Sequence, residues 1–354
     1  MQLDYIIVGQ GLAGSLISYY MIKHGCAVRV YDDRDKPGAS SVAAGIFNPF
    51  TGRKLVKTWQ ADMLFPFLRD FYRELENDLG IKLIYFLPMF RPFLSVDEQN
   101  EWGAKLYDDR YSEYIDSITS SGDGFPQVIN PLGGMMLKNC GYVDINILIS
   151  RVRNFLIDRD AFSNNAFDLS ELQVQPDEVI YGDYKAQKVI FCEGPWLAQN
   201  IFFNWLPLKP VKGEVLEIEL SEQLDFIVNR GVFILPYQGK ICKVGATFDQ
   251  EDISWSVTDG AKQWLEKGLK ALLHIPFEIT GQQAGVRPAA SDRRPLIGLH
   301  PEYEPLAVFN GLGTKGVSLA PYLIREFYEF LQNGKPLIED VAITRHFSLY
   351  YNKN

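Results

Sequence analysis

The sequence predicts an α/β fold in which a Rossmann-like dinucleotide-binding domain is interleaved with a second domain built on an antiparallel sheet. Three observations predict it. Residues 4–33 read as a strand, a glycine-rich turn, a helix and a second strand that ends in acidic residues. Residues 208–248 change to short alternating segments that are typical of antiparallel strands. Segments of the first kind return near residues 189–196 and 306–331, so the two kinds of domain alternate along the chain.

The opening strand leads directly into a GxGxxG turn. Residues 5–8 form an apolar run that predicts a buried parallel strand, and Gly9, Gly11 and Gly14 follow it at once. Gly9 permits the tight turn, Gly11 lets the backbone approach a pyrophosphate, and Gly14 lets the helix and the strand pack closely. The helix that begins here would offer free N–H groups and the positive end of its dipole to the phosphates.

The second strand of this unit ends in an acidic residue. Residues 27–31 predict the strand, and Asp32 follows it in the position that accepts both hydroxyls of an adenosine ribose. A glycine-rich turn that binds nothing is the alternative, because the glycine pattern alone is a weak signal. The full order of strand, turn, helix, strand and acid predicts a dinucleotide site, without distinguishing FAD from NAD.

Composition and charge argue against several other classes of function. The 354 residues suffice for two domains, no apolar run resembles a membrane span, and a strand begins so early that we expect no signal peptide. The formal net charge of -9, with no basic block, argues against a nucleic-acid partner. The four cysteines are scattered without a CxxC pair, and the four histidines lack metal-ligand spacing. We therefore expect free thiols, a cytoplasmic protein and no metal site.

The rest of the chain fills in the two domains. Asp144 is predicted to cap the helix that follows it, and a Gln-Gly turn joins two strands into a hairpin. Residues 107–124 are predicted to be mostly loop or helix. The main predicted elements are helices over 59–79, 147–157, 255–273 and 317–331, strands over 188–191, 215–220, 232–236, 241–245 and 306–309, and glycine-containing turns at 51–54 and 310–316.

Six ordered segments resemble the flavin-dependent D-amino-acid oxidase family, which includes glycine oxidase and sarcosine oxidase. The resemblance runs nearly end to end. It implies FAD as the cofactor and oxidation of the C–N bond of a small amino acid or N-substituted amino acid, by hydride transfer to the flavin. The segments that carry it are the glycine turn with Asp32, residues 40–49, 189–196, 244–247, 285–298 with its Arg-Pro pair, and 311–321.

The resemblance also implies domain boundaries and the mode of FAD attachment. Residues 1–50, 141–205 and 281–354 would form the FAD-binding domain, and residues 51–140 and 206–280 the substrate-binding domain. Some relatives attach the flavin through a cysteine in a region that has no cysteine in this chain, so we expect noncovalent FAD.

The resemblance assigns cofactor contacts residue by residue. Glu193 departs from the family, which has a small or apolar residue there. This carboxylate either faces away or alters the electronics of the flavin. The expected contacts are Gly9, Gly11, Leu12, Ala13 and Gly14 on the pyrophosphate, Asp32 on ribose with Asp33 and Arg34 near the adenine, Ser40, Ser41, Ala44 and Gly45 along the pyrophosphate and flavin, Phe167 at the adenine, Gly194 and Trp196 beside the cofactor, and Gly313, Thr314, Lys315 and Gly316 at the flavin ring.

Arg287 is the predicted ligand of a substrate carboxylate, with help from Lys315. Pro288 biases Arg287 towards an extended conformation, and a guanidinium can hold a carboxylate through two parallel hydrogen bonds. The Arg-Pro position binds this carboxylate in several amino-acid oxidases that the chain resembles, and Lys315 matches a lysine of sarcosine-type relatives. The alternatives are an ion pair of Arg287 with nearby Asp292, and a role for Lys315 towards the flavin.

Two other functions are compatible with the sequence. One is the oxidase half of a tRNA-uridine-modifying enzyme, although the acidic balance and the lack of a partner domain count against it. The other is a flavin-binding protein without amine turnover, or one that passes electrons to a partner instead of oxygen. We expect a small amine or amino acid as substrate, no nucleic acid and no membrane. The sequence does not indicate the oligomeric state, the substrate side chain or the choice between oxidase and dehydrogenase.

Overall fold

The computed structural model describes residues 1–33, 35–51, 56–120 and 124–352. Arg34 and most of the turn predicted at 51–54 lie outside these residues. The strands are β1 (Gln2–Val8), β2 (Val28–Tyr31), β3 (Ile46–Phe47), β4 (Phe50–Thr51), β5 (Val56–Lys57), β6 (Ile84–Phe86), β7 (Met89–Pro92), β8 (Ile115–Thr119), β9 (Gly134–Leu137), β10 (Gly141–Val143), β11 (Phe162–Ser163), β12 (Gln173–Val174), β13 (Val179–Tyr181), β14 (Tyr184–Phe191), β15 (Val211–Leu220), β16 (Ile227–Arg230), β17 (Val232–Gln238), β18 (Ile241–Gly245), β19 (Phe277–Arg287), β20 (Leu296–Leu299) and β21 (Leu306–Asn310). The helices are α1 (Leu12–Lys23), α2 (Ala39–Val42), α3 (Ala61–Leu79), α4 (Val96–Lys105), α5 (Asp109–Ser112), α6 (Ile145–Ile157), α7 (Asp259–Lys270), α8 (Gly316–Asn333) and α9 (Phe347–Tyr351).

The first sheet has a parallel centre in the order β11-β2-β1-β14-β21. Its strands are covered on both faces, which explains their continuous apolar sequences. Ile7 belongs to the core beneath α1, α6 and α8, whereas Ile6 and Val8 belong to a separate core on the opposite face. In register, Val8 lies opposite Tyr31 and Phe191, so the carboxyl ends of the strands meet at one edge. Ligands of open α/β sheets bind at this edge.

The second sheet has the order β19-β15-β18-β17-β16-β7-β9-β8 and is antiparallel except between β16 and β7. Helix α7 packs on one of its faces, where Leu265 and Leu269 join Leu216 and Ile218 in a third core. Alternation along β15 turns Val215 to the other face, which faces a cavity. Together the two sheets confirm the predicted α/β class with a Rossmann-like part and an antiparallel part.

The structure departs from the predicted elements at several places, of which three bear on the domain organisation or on a helix start. Helix α7 begins at Asp259, four residues later than predicted, because the Thr258 hydroxyl caps it by accepting the Ala261 N–H at 3.2 Å. Residues 107–124 contain β8, an edge strand that pairs with β9. The long β19 runs without a break across residue 281, where a domain boundary was predicted. The domain boundaries stay a prediction.

Over the described residues, no helix is both long enough and apolar enough to cross a membrane. The same part of the chain contains no group of three histidine, cysteine or acidic side chains that could hold a metal ion.

Candidate functional site

A cavity of about 630 Å³ lies between the carboxyl edge of the first sheet and the open face of the second sheet. Its volume falls in the range of small-molecule and cofactor sites, roughly 300–1,000 Å³. Both sheets line it, which places any bound cofactor where a substrate held by the second sheet could meet it. The strand-end residues of the first sheet that line the cavity are Val8, Tyr31, Cys192 and Asn310, and those from the second sheet include Arg91, Gly213, Val215, Phe233, Gly245 and Arg287.

The glycine turn is shaped by close backbone contacts. Gly9 has a φ of +94°, and a Cβ there would lie 2.6 Å from the Cys192 carbonyl oxygen. A Cβ on Gly14 would overlap the carbonyl oxygen of Gly9. Helix α1 begins just after Gly11, and no side chain caps the helix from Gly11 itself. Backbone therefore forms a narrow cradle at a helix N-terminus, a shape that suits a pyrophosphate.

Asp32 lies at the end of β2 with two partners inside the protein. Its Oδ1 accepts the Gln10 N–H at 2.8 Å, and its Oδ2 lies 3.4 Å from Arg153 Nη2. Arg153 Nε also donates to Gln10 Oε1 at 2.6 Å. Arg153 was not identifiable from the sequence, because it lies on α6, 121 residues from Asp32. These contacts fix the carboxylate at the mouth of the turn, where it also lines the cavity.

Most residues predicted to contact the cofactor line the cavity. Gly14 lies behind the turn and acts through packing, and Arg34 is outside the described residues. Ser41 is exposed, and its hydroxyl donates to the Gly38 carbonyl at 2.8 Å, whereas the Ser40 hydroxyl accepts the Leu12 N–H at 3.0 Å. The predicted residues that line the cavity are Gly9, Gly11, Leu12, Ala13, Asp32, Asp33, Ser40, Ala44, Gly45, Phe167, Gly194, Trp196, Gly313, Thr314, Lys315 and Gly316.

Glu193 also lines the cavity. The Asn200 side-chain amide donates to its Oε2 at 2.7 Å. Burial raises the pKa of the Glu193 carboxyl to about 7, against the opposing effect of that hydrogen bond. Glu193 therefore changes its protonation near neutral pH, at the end of the cavity that holds the glycine turn.

Arg287 is the last residue of β19 and reaches across the neighbouring strand. Its guanidinium lies over Gly213 of β15, where a Cβ would overlap both terminal nitrogens. Nη1 donates to the Thr247 carbonyl at 3.2 Å, and burial lowers the pKa of the guanidinium. Asp292 is engaged elsewhere, with Arg345 Nε at 2.9 Å, and no carboxylate of the described residues forms an ion pair with Arg287.

Lys315 precedes α8 and points to a buried threonine. Its Nζ donates to Thr58 Oγ1 at 2.8 Å, and that hydroxyl donates to the Asn48 carbonyl at 3.2 Å. Burial lowers the pKa of the Lys315 ammonium to about 7. Lys315 is thus a cation that loses its charge near neutral pH.

Arg91 is a cavity residue that the sequence did not reveal. It lies on the short strand β7 and is only 6% exposed, and its Nη1 donates to the Asn229 carbonyl at 3.2 Å. Burial lowers the pKa of its guanidinium to about 10. The only sequence signal is an arginine placed between apolar residues of a short strand, a pattern that does not distinguish a binding role from a structural one.

The chain belongs to a family of FAD-dependent oxidoreductases. The family's model, described as "DAO: FAD dependent oxidoreductase", matches residues 4–327. The predicted family and the predicted FAD-dependent oxidoreductase activity are confirmed by this match.

Individual relatives agree with the family and the fold. Glycine oxidase of Geobacillus kaustophilus (strain HTA426) is 24% identical over 383 residues, which cover 97% of this chain and 97% of that protein. A solved glycine oxidase from Geobacillus kaustophilus has a TM-score of 0.80 at 20% identity and covers 98% of both chains. A solved iminodiacetate oxidase from Chelativorans sp. BNC1 has a TM-score of 0.75 at 19% identity, covering 97% of this chain and 98% of that one. The tRNA 5-methylaminomethyl-2-thiouridine biosynthesis bifunctional protein MnmC of Legionella pneumophila (strain Corby) is 24% identical over 315 residues, 83% of this chain but 45% of that protein.

The residues of the cavity fit the cofactor of this family. The turn around Gly9 requires glycine at positions 9 and 14, because a Cβ at either would overlap a backbone carbonyl oxygen, and this is the glycine pattern that a pyrophosphate site uses. Asp32 at the end of β2 supplies the acid expected for a ribose. FAD is therefore the cofactor, and the absence of cysteine between residues 287 and 311 supports noncovalent binding.

Proposed function

We propose that this protein oxidises the C–N bond of a small amino acid or N-substituted amino acid, as an oxidase or a dehydrogenase. The observation that carries the proposal is the guanidinium of Arg287, which lies in the cavity over Gly213. A planar guanidinium can hold the substrate carboxylate by two parallel hydrogen bonds and so fix the direction of the α-carbon. In hydride transfer from the α-carbon, the main contribution of the protein is to hold the substrate in this orientation.

The reaction breaks the α-C–H bond while the nitrogen lone pair forms a C=N double bond. Bound FAD supplies the two-electron oxidant that receives the hydride. The substrate nitrogen must be neutral for this step, so its proton has to leave beforehand. Lys315 is suited to hold a proton at Nζ near neutral pH, because burial lowers its pKa to about 7.

The cofactor contacts and the domain boundaries belong to the same proposal. The predicted residues along the cavity would hold FAD with its pyrophosphate at the glycine turn, and Lys315 and its neighbours would lie towards the reacting end. Glycine oxidase and iminodiacetate oxidase among the relatives act, by their names, on small amino and imino acids, which supports this substrate class.

An amine carried on a tRNA is the second candidate substrate. It is favoured by the 83% of this chain that aligns with the tRNA-thiouridine biosynthesis protein. The formal net charge of -9 argues against a nucleic-acid substrate, so we prefer the small-molecule substrate.

Replacing Arg287 with leucine tests the proposed carboxylate ligand. We expect Arg287→Leu to retain FAD while kcat/KM for amino acids falls at least 100-fold, which corresponds to about 2.7 kcal/mol of transition-state stabilisation. Amines without a carboxylate should lose much less. Arg294→Leu is the matched control, because Arg294 pairs loosely with Asp340 at 4.0 Å and does not line the cavity. Equal losses for both substrate types would refute the role of Arg287.

A further inference from the structure

Glu193 is an acidic side chain beside the glycine turn. It comes two residues after the end of β14, and a Cβ on Gly9 would lie 3.4 Å from the Glu193 Cα. The Asn310 side-chain amide donates to the carbonyl of the next residue, Gly194, at 2.9 Å, which ties this segment to the end of β21. Glu193 also lines the cavity. A diphosphate held at the glycine turn would therefore lie close to this side chain.

The hydrogen-bond partner of the Glu193 carboxyl is a neutral amide. The Asn200 side chain donates to Oε2 at 2.7 Å, and no other hydrogen bond to this carboxyl is formed among the described residues. The proton of the neutral acid therefore belongs on Oε1. A neutral carboxyl donates a hydrogen bond through this proton, whereas a carboxylate can only accept.

Two further carboxylates line the same end of the cavity, and both have cationic partners. Asp32 Oδ2 lies 3.4 Å from Arg153 Nη2, and Asp33 Oδ2 lies 3.9 Å from Lys36 Nζ. A bound diphosphate adds negative charge beside these groups, and negative charge favours the neutral form of a neighbouring carboxyl. Glu193 is the carboxyl of this end that can become neutral without breaking an ion pair.

The ionisable groups around Glu193 leave it as the group that titrates near neutral pH. Burial raises the pKa of Glu193 to about 7, with the Asn200 hydrogen bond and the charge of Lys36 acting in the opposite direction. Burial raises the pKa of the adjacent Cys192 thiol well above its usual range. Strand β19 packs against the helical turn that follows Glu193, and the guanidinium of Arg287 on that strand keeps its charge in this range.

We propose that Glu193 binds FAD as the neutral acid and donates its carboxyl proton to an oxygen of the cofactor's diphosphate, so that FAD binding above neutral pH takes up one proton from the solvent. A hydrogen bond from an O–H group to a phosphate oxygen is charge-assisted and strong. The carboxylate form would instead place a negative charge against the diphosphate. This inference rests on the proposed placement of the diphosphate at the glycine turn.

Release of FAD from the loaded protein tests the proton uptake. The protein is diluted in buffers between about pH 6 and about pH 9, and the dissociation constant is taken from the fluorescence of the released flavin. Affinity should be highest where free Glu193 is already neutral. We expect a constant value below about pH 7 and a rise of at least tenfold by about pH 9, with a limit of about tenfold for each pH unit when one proton is taken up. A dissociation constant that does not change with pH would overturn the proposal.

Variants of Glu193 assign the pH dependence and the hydrogen bond. Glu193→Gln keeps a donor and cannot ionise, so it should bind FAD tightly at every pH. Glu193→Ala should also lose the pH dependence but bind FAD more weakly than Glu193→Gln, because it has no donor. A pH dependence that survives in Glu193→Gln, or equal FAD affinities of the two variants, would overturn the proposal.

Two further substitutions are controls for the pH dependence. Glu222→Gln should keep it, because Glu222 is exposed on the turn after β15 and does not line the cavity. Lys315→Met should keep it as well, although the pKa of Lys315 is also about 7, because Lys315 lies at the opposite end of the cavity. Loss of the pH dependence in Lys315→Met would overturn the proposal. If Glu193→Gln does not fold, Glu193→Ala and Lys315→Met decide the question.

Anaerobic reduction of the flavin by amino acids separates this inference from the proposed function. A pH-dependent FAD affinity that requires Glu193, without reduction by any amino or N-substituted amino acid, would support the role of Glu193 and refute the proposed oxidation. Reduction by amino acids, with an FAD affinity that is the same at every pH, would leave the proposed function standing and refute the role of Glu193.

Discussion

The two ends of the cavity are built in different ways. At the glycine-turn end, the shape comes from backbone, with Gly9 and Gly14 packed so closely that a Cβ on either would collide with a carbonyl oxygen. At the other end, the chemistry comes from long side chains, Arg91, Arg287 and Lys315, which extend from elements far apart in the sequence. The shape of the first end is set by a rigid turn within one short stretch of the sequence. The position of the side chains at the second end depends on how the strands are arranged in the sheet.

This difference predicts that the two ends can be disrupted separately. A cradle made of backbone tolerates almost no added atom, so substitutions there should remove the cofactor. A wall made of side chains loses one interaction at a time, so substitutions there should alter the substrate and leave FAD bound. Substitutions at Gly14, Asp32, Gly213 and Lys315 test this separation.

The largest effect is expected at Gly14, where an added methyl group meets the backbone of Gly9. Gly14→Ala should lower the free energy of unfolding by about 3 kcal/mol and abolish FAD binding, because neither the helix nor the strand can move away. Thermal unfolding and FAD titration measure both effects. Gly103→Ala is the control, because a Cβ there meets no atom within 4 Å. Retention of FAD with native affinity in Gly14→Ala would show that the cradle is not rigid.

Asp32 should contribute less than the glycines, because it adds hydrogen bonds to a cradle that already exists. Asp32→Ala should weaken FAD binding by roughly 1–3 kcal/mol. Asp32→Asn keeps the shape of the side chain and loses its charge. Its FAD affinity should therefore lie between that of the unsubstituted protein and that of Asp32→Ala. Unchanged FAD affinity of the apoprotein would mean that Asp32 serves only Gln10 and Arg153.

Gly213 is predicted to position Arg287. Gly213→Ala should raise KM for carboxylate substrates by about tenfold while kcat and FAD content change little, since the added Cβ displaces the guanidinium. Gly281→Ala on β19 is the control, because its Cβ would lie 3.5 Å from the Glu217 Cβ, an ordinary contact. An equal rise in KM for an amine without a carboxylate would indicate a general structural effect.

The smallest effect is a pH dependence from Lys315. Its pKa is lowered to about 7, so it is charged below that pH and neutral above it. The affinity of the FAD-loaded protein for acetate should therefore fall a few-fold as the pH rises through about 7. A guanidinium keeps its charge in this range, so Arg287 does not contribute to the change. Lys315→Met should remove this dependence. Glu193→Gln is the control, because the pKa of Glu193 is also about 7 but Glu193 lies at the glycine-turn end of the cavity. This substitution should leave the pH dependence of acetate binding unchanged. A dependence that persists in Lys315→Met would exclude Lys315 as its source.

The sequence predicted most of the glycine-turn end, but not Arg153. The strand, turn and helix of residues 5–21 are contiguous, and glycine is the residue type that permits the positive φ of the turn at Gly9. The hairpin of β17 and β18 was predictable for the same reason, since a short turn fixes its pairing. The start of α7 was not, because it depends on a single cap by Thr258.

The side-chain wall could be predicted only in part. Arg287 was identifiable from the neighbouring proline and from the resemblance, but its support by Gly213 depends on the pairing of β15 with β19. Arg91 became visible only through the register of β7 with β16 and of β16 with β17. Non-local pairing of this kind has no signature in a single sequence, since each strand is compatible with several neighbours.

Anaerobic reduction of the bound flavin tests the central claim most directly, that amino acids are oxidised in this cavity. The yellow, FAD-loaded protein is mixed without oxygen with small amino acids, N-methyl and N-carboxymethyl amino acids, and amines of matched size that lack a carboxylate. We expect the amino acids and N-substituted amino acids to bleach the flavin absorbance, and the matched amines to bleach it at a far lower rate. If dithionite bleaches the flavin but no amino or N-substituted amino acid does, the claim is wrong.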